Sequence, residues 1–225
     1  PKQYLSLGTS HKSLLTATID RISQVSEVDK TLIVTASDQL ELVRQHAGVD
    51  FPALLEPCPK NTAACVAYAA KFILETIGDV PLVCLPADHV IQNEVGFSAV
   101  ISEAIQIATE KNELVLIGIT PTAPEIGYGY IQRGEACAES PNAYSVHRFV
   151  EKPDLATALS YLQSGDYIWN SGMFVWRPTV ILSAIREFLP ELEIEIGNAV
   201  QGILSGDDSA VVSSYDKLRS VSIDV

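Results

Sequence analysis

The chain has 225 residues, 47% of them hydrophobic and 19% charged, which is an ordinary globular balance and long enough for one α/β domain with a sizeable core and no disulfide staple. Its 15 basic and 28 acidic residues leave a net charge of −13, which argues against non-specific binding to nucleic acid and against docking on anionic membranes, since both need a basic surface. No apolar run approaches the ~20 residues of a membrane span, the start Pro1-Lys2-Gln3-Tyr4 has no signal-peptide layout, and Cys58, Cys65, Cys84 and Cys137 form no C-x-x-C pair, so a cytoplasmic protein with free thiols is expected.

In chain order, the apolar spacing predicts a helix over 13–22 and a short β-branched strand over 31–35. Asp38 can cap the helix that carries Leu40, Leu42 and Val43, and 52–55 can form a short strand. Asn61, as N-cap, opens an alanine-rich helix to about Glu75 that suits close packing on a sheet. A buried strand over 80–85 ends abruptly at Pro86-Ala87-Asp88-His89. Next come an amphipathic helix over 96–111, with Phe97, Val100, Ile101, Ala104, Ile105 and Ala108 inward, and a strand over 114–119. This strand–helix–strand order indicates a parallel or mixed sheet covered by helices on both faces. Farther on, strands are expected over 128–133 and 145–150 with a polar loop between them, then a helix over 154–163, an aromatic strand over 169–176, a helix over 178–188 and helical structure over 191–218. There is no internal repeat and no dividing linker.

Several constellations could carry chemistry. Asp88 stands just past the C-terminal end of a buried strand, where open α/β sheets bind ligands; a carboxylate there suits Mg²⁺ bridging to phosphate, or merely caps the loop. Phe149-Val150-Glu151-Lys152-Pro153 delivers a glutamate and a lysine at a strand end. Neighbours on a strand point to opposite faces, so the two need not pair; the lysine could bind phosphate and the glutamate sugar hydroxyls, or both could be solvated. Gly127-Tyr128-Gly129-Tyr130 lets a ligand approach the backbone, or is a turn into a strand. Asn170-Ser171-Gly172 inside an aromatic strand needs polar partners, either a ligand hydroxyl or an internal hydrogen bond. Glu56-Pro57 followed by Asn61-Thr62-Ala63 places polar groups at a helix N-terminus, and Asp224 could complete a divalent-metal site with Asp88. A Walker loop, a G-x-S-x-G elbow and an H-E-x-x-H zinc motif are all missing from the sequence.

Taken in order, these motifs resemble the mannose-1-phosphate guanylyltransferase family, the GDP-mannose pyrophosphorylases, in the bacterial type that can be fused to a phosphomannose isomerase domain. The resemblance covers essentially the whole chain, 1–225, as one nucleotidyltransferase domain with a Rossmann-like mixed sheet of the nucleotide-diphospho-sugar transferase type. It implies that GTP and mannose 1-phosphate give GDP-mannose and pyrophosphate with Mg²⁺. Carried over by position, Asp88 and Asp224 correspond to Mg²⁺ ligands, Lys152 to the ligand of the sugar phosphate, and Lys2 to a phosphate contact near the reacting centre. Gly129, Glu151 and Asn170 correspond to mannose contacts, and Glu56, Asn61, Thr62 and Pro86 to the nucleotide side. A homodimer is compatible with it. The family's glycine-rich loop, its first strand and its C-terminal portion are not in the sequence, so a trimmed core of reduced activity is expected. The rival readings are transfer of another nucleotide or hexose phosphate, and a non-catalytic nucleotide-sugar-binding subunit.

Overall fold

In the computed structural model, which describes residues 1–6 and 11–224, the chain divides into two compact units. The first comprises Pro1–Leu114 and Val175–Ile223, the second Val115–Phe174 and Asp224–Val225.

In the first unit a 3₁₀ turn over Lys2–Tyr4 precedes helix α1 (Leu14–Ile22), which starts where the Ser13 hydroxyl accepts from the Thr16 amide at 3.2 Å. Strands β1 (Ile33–Ala36) and β2 (Ala53–Glu56) pair in parallel, from Ile33 opposite Ala53 to Ala36 opposite Glu56. Helix α2 (Leu40–Ala47) connects them, the crossover that a parallel pair requires. The chain tightens into a 3₁₀ turn over Ser37–Gln39 directly after β1, so Asp38 lies inside that turn and not at the expected cap of α2.

Helix α3 (Asn61–Thr76) buries Ala63, Ala64, Ala67 and Ala70. These small residues let it pack closely on α6 (Pro178–Phe188) and α7 (Pro190–Ser205). Strand β3 (Leu82–Cys84) is followed by a loop and helix α4 (Glu94–Lys111), capped by Asn93, whose Oδ1 accepts from the Gly96 amide at 2.9 Å. α4 buries Phe97, Ile101, Ala104 and Ala108, an i, i+4, i+7, i+11 stripe. Val100, expected inward, falls beside that stripe and is 42% exposed. The long C-terminal helical stretch breaks at Gly206, whose φ of 72° ends α7. Asp207 then caps α8 (Asp208–Lys217) by accepting from the Ala210 amide.

The second unit is built on antiparallel pairing. Strands β5 (Gly129–Cys137) and β6 (Ser140–Glu151) form one hairpin, from Gly129 opposite Glu151 to Cys137 opposite Ser140. The polar stretch expected as a loop is instead strand: three register shifts absorb its irregular pattern and leave a two-residue turn. Helix α5 (Leu155–Ser164) is capped by Asp154 and leads to β7 (Tyr167–Trp176), which pairs antiparallel with β5; β4 (Val115–Ile119) pairs with β7. The last two residues of β7, Val175 and Trp176, belong to the first unit.

Within the polar triplet of β7, Ser171 finds its partners inside the sheet. The Ser171 hydroxyl donates to the Ile117 carbonyl at 2.6 Å and accepts from the Met173 amide at 3.2 Å, while Gly172 takes a φ of 68°. Cys58, Cys65, Cys84 and Cys137 are free thiols, and no helix among the described residues is long and apolar enough to cross a membrane.

The start of α6 depends on a remote carboxylate. Asp79 accepts from Arg177 Nε at 2.9 Å, from the Thr179 amide at 2.9 Å and from the Thr179 hydroxyl at 2.8 Å. Removing an acceptor shared by three donors, one of them charged, leaves those donors to water or unpaired. Asp79→Ala should lower unfolding stability by about 2 kcal/mol, and Asp79→Asn by less, in urea titrations.

Candidate functional site

Within the second unit, Gly129, Glu151, Lys152, Asn170 and Asp224, which the sequence scatters over almost a hundred positions, come together. Gly129 opens β5 opposite Glu151 at the end of β6. A Cβ at position 129 would lie 2.8 Å from Glu151 Oε2 and 2.8 Å from the Phe149 ring, and 3.5 Å from Asn170 Cβ. Only glycine allows this approach. Asn170 Nδ2 donates to Asp224 Oδ1 at 2.8 Å, and its Oδ1 accepts from the Gly172 amide at 3.0 Å, so the amide is fixed at both ends. Tyr128, half exposed, stands edge-on to Trp169 with centroids 5.2 Å apart, beside the same group.

Glu151 and Lys152 do pair, with Nζ 2.8 Å from Oε1. Strand alternation stops at Glu151: Lys152 leaves β6 with a φ of 44°, its amide donating to the Tyr128 carbonyl at 3.2 Å, and buried Pro153 follows. A non-glycine residue in the left-handed region is uncommon, and a following proline restricts it further. The hydrogen bond and charge of Glu151, with a smaller contribution from Asp224, raise the Lys152 ammonium above its ordinary value. The ammonium is largely exposed, so the pair is worth little by itself and can be exchanged for another anion.

In the first unit, Lys2 is exposed on the 3₁₀ turn, which is fixed by Gln39 Oε1 accepting from Gln3 Nε2 at 3.2 Å and from the Tyr4 hydroxyl at 3.3 Å. Gln3, Tyr4, Thr35, Ala87 and Asp88 line a cavity of about 250 Å³. Pro86 and Asp88 lie past the end of β3, and the Asp88 side chain is 39% exposed.

Asn61 and Thr62 start α3, but not through ordinary capping. Asn61 has a φ of 71°, and its Oδ1 accepts from the next amide at 2.8 Å. Thr62 Oγ1 accepts from the Ile223 amide at 2.9 Å, and the Ala63 amide donates to the Val221 carbonyl at 3.2 Å. The helix N-terminus therefore holds the segment that runs directly into Asp224. Sequence reading missed this tie, since 161 positions separate Thr62 from Ile223 and no local pattern signals it.

Glu56 is 7% exposed at the end of β2, and its Oε1 accepts from the Tyr215 hydroxyl at 3.5 Å. Burial pushes its carboxyl up to about 7, with the Tyr215 bond opposing. Burial likewise pushes the Cys65 thiol and the Tyr68 hydroxyl up to about 12, each with a lesser push from Glu56. Among the described residues no group of three or more His, Cys, Asp or Glu is placed to hold a metal ion.

The nucleotidyl transferase family model matches residues 1–212. The chain is 44% identical over 207 residues to the xanthan biosynthesis protein XanB of Xanthomonas campestris pv. campestris, covering 90% of this chain and 43% of that protein. It is 41% identical over 213 residues to a mannose-1-phosphate guanylyltransferase of Escherichia coli, covering 92% of this chain and 45% of that one. The chain thus spans somewhat less than half the length of these relatives. A crystal structure of a protein described as mannose-1-phosphate geranyltransferase from Thermus thermophilus superposes with a TM-score of 0.85 at 32% identity, over 100% of this chain and 63% of that one.

The buried Glu56 carboxyl makes stability depend on pH. A folded value near 7 against an ordinary 4.5 means that stability is fullest below about 4.5 and is lost as pH rises through 7. Glu56→Gln keeps an acceptor for Tyr215 and removes the titration. The stability of the variant relative to the parent should therefore increase between pH 5 and pH 8 by about 2 kcal/mol. A difference that stays constant across that range in urea unfolding would show Glu56 to be ionised throughout.

Proposed function

The chain belongs to the nucleotidyl transferase family, and from that membership we propose that it carries the guanylyl-transfer activity of a protein that makes GDP-mannose and pyrophosphate from GTP and mannose 1-phosphate. The observation that carries this reading is the group around Gly129: a carboxylate, a fixed amide and a lysine meeting where a side chain is sterically excluded. That is a set of acceptors and donors for sugar hydroxyls beside one point charge for a phosphate. The 40–44% identity to proteins of this name and to a polysaccharide-biosynthesis protein supports the choice of substrates.

In the proposed reaction a phosphate oxygen of mannose 1-phosphate attacks the α-phosphorus of GTP. The new P–O bond forms as the bond to the β-phosphate bridging oxygen breaks, and pyrophosphate leaves with that electron pair. The nucleophile is already ionised near neutral pH, so positioning and charge neutralisation are the main requirements. Lys152 exchanges Glu151 for the sugar phosphate; Glu151, Asn170 and the backbone at Gly129 orient the sugar. Lys2 provides positive charge for phosphate. Asn61, exposed at the start of α3, is the group best suited to a base edge. Thr62 and Glu56 support that side from behind, through the 221–223 segment and Tyr215. Pro86 shapes the approach to Asp88.

Mg²⁺ is part of this proposal. Asp88 and Asp224 each offer the hard oxygen donors that Mg²⁺ takes, and one or two carboxylates completed by substrate phosphates are a usual set for it. The ion would supply neutralisation of phosphate charge. The proposed setting is the cytoplasm.

The reading is tested on the full-length gene product with GTP, ATP and UTP against mannose 1-phosphate and glucose 1-phosphate. GTP with mannose 1-phosphate should be the preferred pair, and preference for UTP with glucose 1-phosphate would overturn it. Lys152→Ala should raise KM for mannose 1-phosphate at least ~10-fold, the worth of one charge-assisted contact, and change KM for GTP much less. Equal effects on both would remove Lys152 from the sugar-phosphate site.

A further inference from the structure

Arg21 is the one charged residue that α1 turns into the core, and neither the sequence motifs nor the proposed reaction uses it. Its side chain is 3% exposed in the last turn of the helix. Its guanidinium carbon lies 5.5 Å from the centroid of the Phe97 ring, in the first turn of α4. Nη2 donates to the His89 carbonyl at 3.3 Å. Among the described residues Nε has no hydrogen-bond partner and is buried, as is the Thr18 hydroxyl one turn earlier. No carboxylate pairs with Arg21 among the described residues. Glu94 attracts it from farther away and is itself held by Gln24, whose Nε2 donates to Glu94 Oε2 at 3.2 Å. Burial pulls the guanidinium below its ordinary value, and Glu94 only partly opposes this.

Such a residue is expensive. A methionine or leucine would fill the same volume on the apolar face of α1 without desolvating a charge, and replacements of this kind are often neutral or stabilising. Packing therefore does not account for an arginine here. What a methionine could not supply is the directed bond to the carbonyl one residue beyond Asp88. Asp88 sits in a turn between β3 and α4 and is one of the residues that line the cavity shared with Gln3, Tyr4 and Thr35.

We infer that Arg21 is a positioning residue for the Asp88 turn: stacked on Phe97 and bonded to the His89 carbonyl, it fixes the direction in which the Asp88 carboxylate is presented. The inference rests on the proposed role of Asp88 as a ligand of Mg²⁺ at the reacting phosphate. Arg21 touches neither substrate nor metal; it acts through the backbone of the turn.

The test compares Arg21→Met, Arg21→Lys and Phe97→Leu in the full-length gene product, with amide hydrogen exchange of residues 86–93 and the Mg²⁺ dependence of guanylyl transfer as readouts. Arg21→Met should keep its thermal midpoint near that of the parent, lose at least ~10-fold in exchange protection at 86–93, and need about 10-fold more Mg²⁺ for half-maximal rate, with KM for mannose 1-phosphate within about twofold. Arg21→Lys should recover part of both effects, because an ammonium can still donate to the carbonyl. Phe97→Leu, which removes the stacking face and keeps the charge, should move both readouts in the same direction by less. Unchanged protection at 86–93 in a folded Arg21→Met protein would overturn the inference, as would an unchanged Mg²⁺ requirement beside a loosened turn. A turn loosened by Arg21→Met, beside a parent protein that transfers no guanylyl group, would overturn the proposed reaction and leave Arg21 as the holder of the turn.

Discussion

Room for no side chain at position 129 is the constraint on which the candidate sugar site depends. Three strands are laid so closely there that the Glu151 carboxylate, the Phe149 ring and Asn170 converge on one α-carbon. The antiparallel register, Gly129 opposite Glu151 and Tyr130 opposite Trp169, is what brings them there. A shift of one residue would turn every side chain of a strand to the other face, so the site and the register stand or fall together. The bulges in the β5–β6 hairpin and the positive φ of Gly172 in β7 are local irregularities beside this register.

Two of the four described non-glycine residues with positive φ fall at candidate positions. Lys152 and Asn61, two non-glycine residues with positive φ, are both residues singled out for ligand contact. Each is held by its surroundings: Lys152 by its amide bond to Tyr128 and by Pro153, Asn61 by its own side chain bonding the next amide. Strain of this kind persists where neighbouring structure over-determines it, and it tends to mark sites at which a side chain must be presented in one direction.

In the proposed reaction, a protein of net charge −13 would meet two phosphate-bearing substrates with few cations, so where its charges stand matters. The structure distributes them unevenly. Lys152 is exposed and exchangeable, Asp88 is partly exposed at a turn, and Asp224 is oriented by Asn170. Glu56 is withdrawn into a core with Tyr68 and Tyr215, whose rings meet edge-on 5.2 Å apart. Arg21, a buried cation, pairs with no carboxylate among the described residues and bonds instead to the backbone carbonyl next to Asp88. Charge in this protein is thus used in two ways, directly at surfaces that can meet a ligand and indirectly behind them, where burial fixes direction.

The sequence by itself determined the elements and the family. Helices such as α1, α5 and α6 are local: a start signal (Ser13 or Asp154 as cap, Pro178 at the first position) and an apolar stripe suffice, and the expected spans agree to within a few residues. The Glu151-Lys152-Pro153 and Asn170-Ser171-Gly172 segments were legible as unusual because polar residues interrupt apolar strands. Tertiary structure decided what those residues touch. Whether Asn170 would meet a ligand or an internal partner depended on Asp224, 54 positions away, and the Thr62 tie to Ile223 depended on one 161 away. The extension of β5 and β6 through a polar stretch, the pairing of Glu151 with Lys152 and the burial of Glu56 and Arg21 were equally out of reach. Periodicity records which face of an element is apolar; it carries no information about which distant backbone will supply the hydrogen-bond partner for a polar group, and that partner sets each of these outcomes.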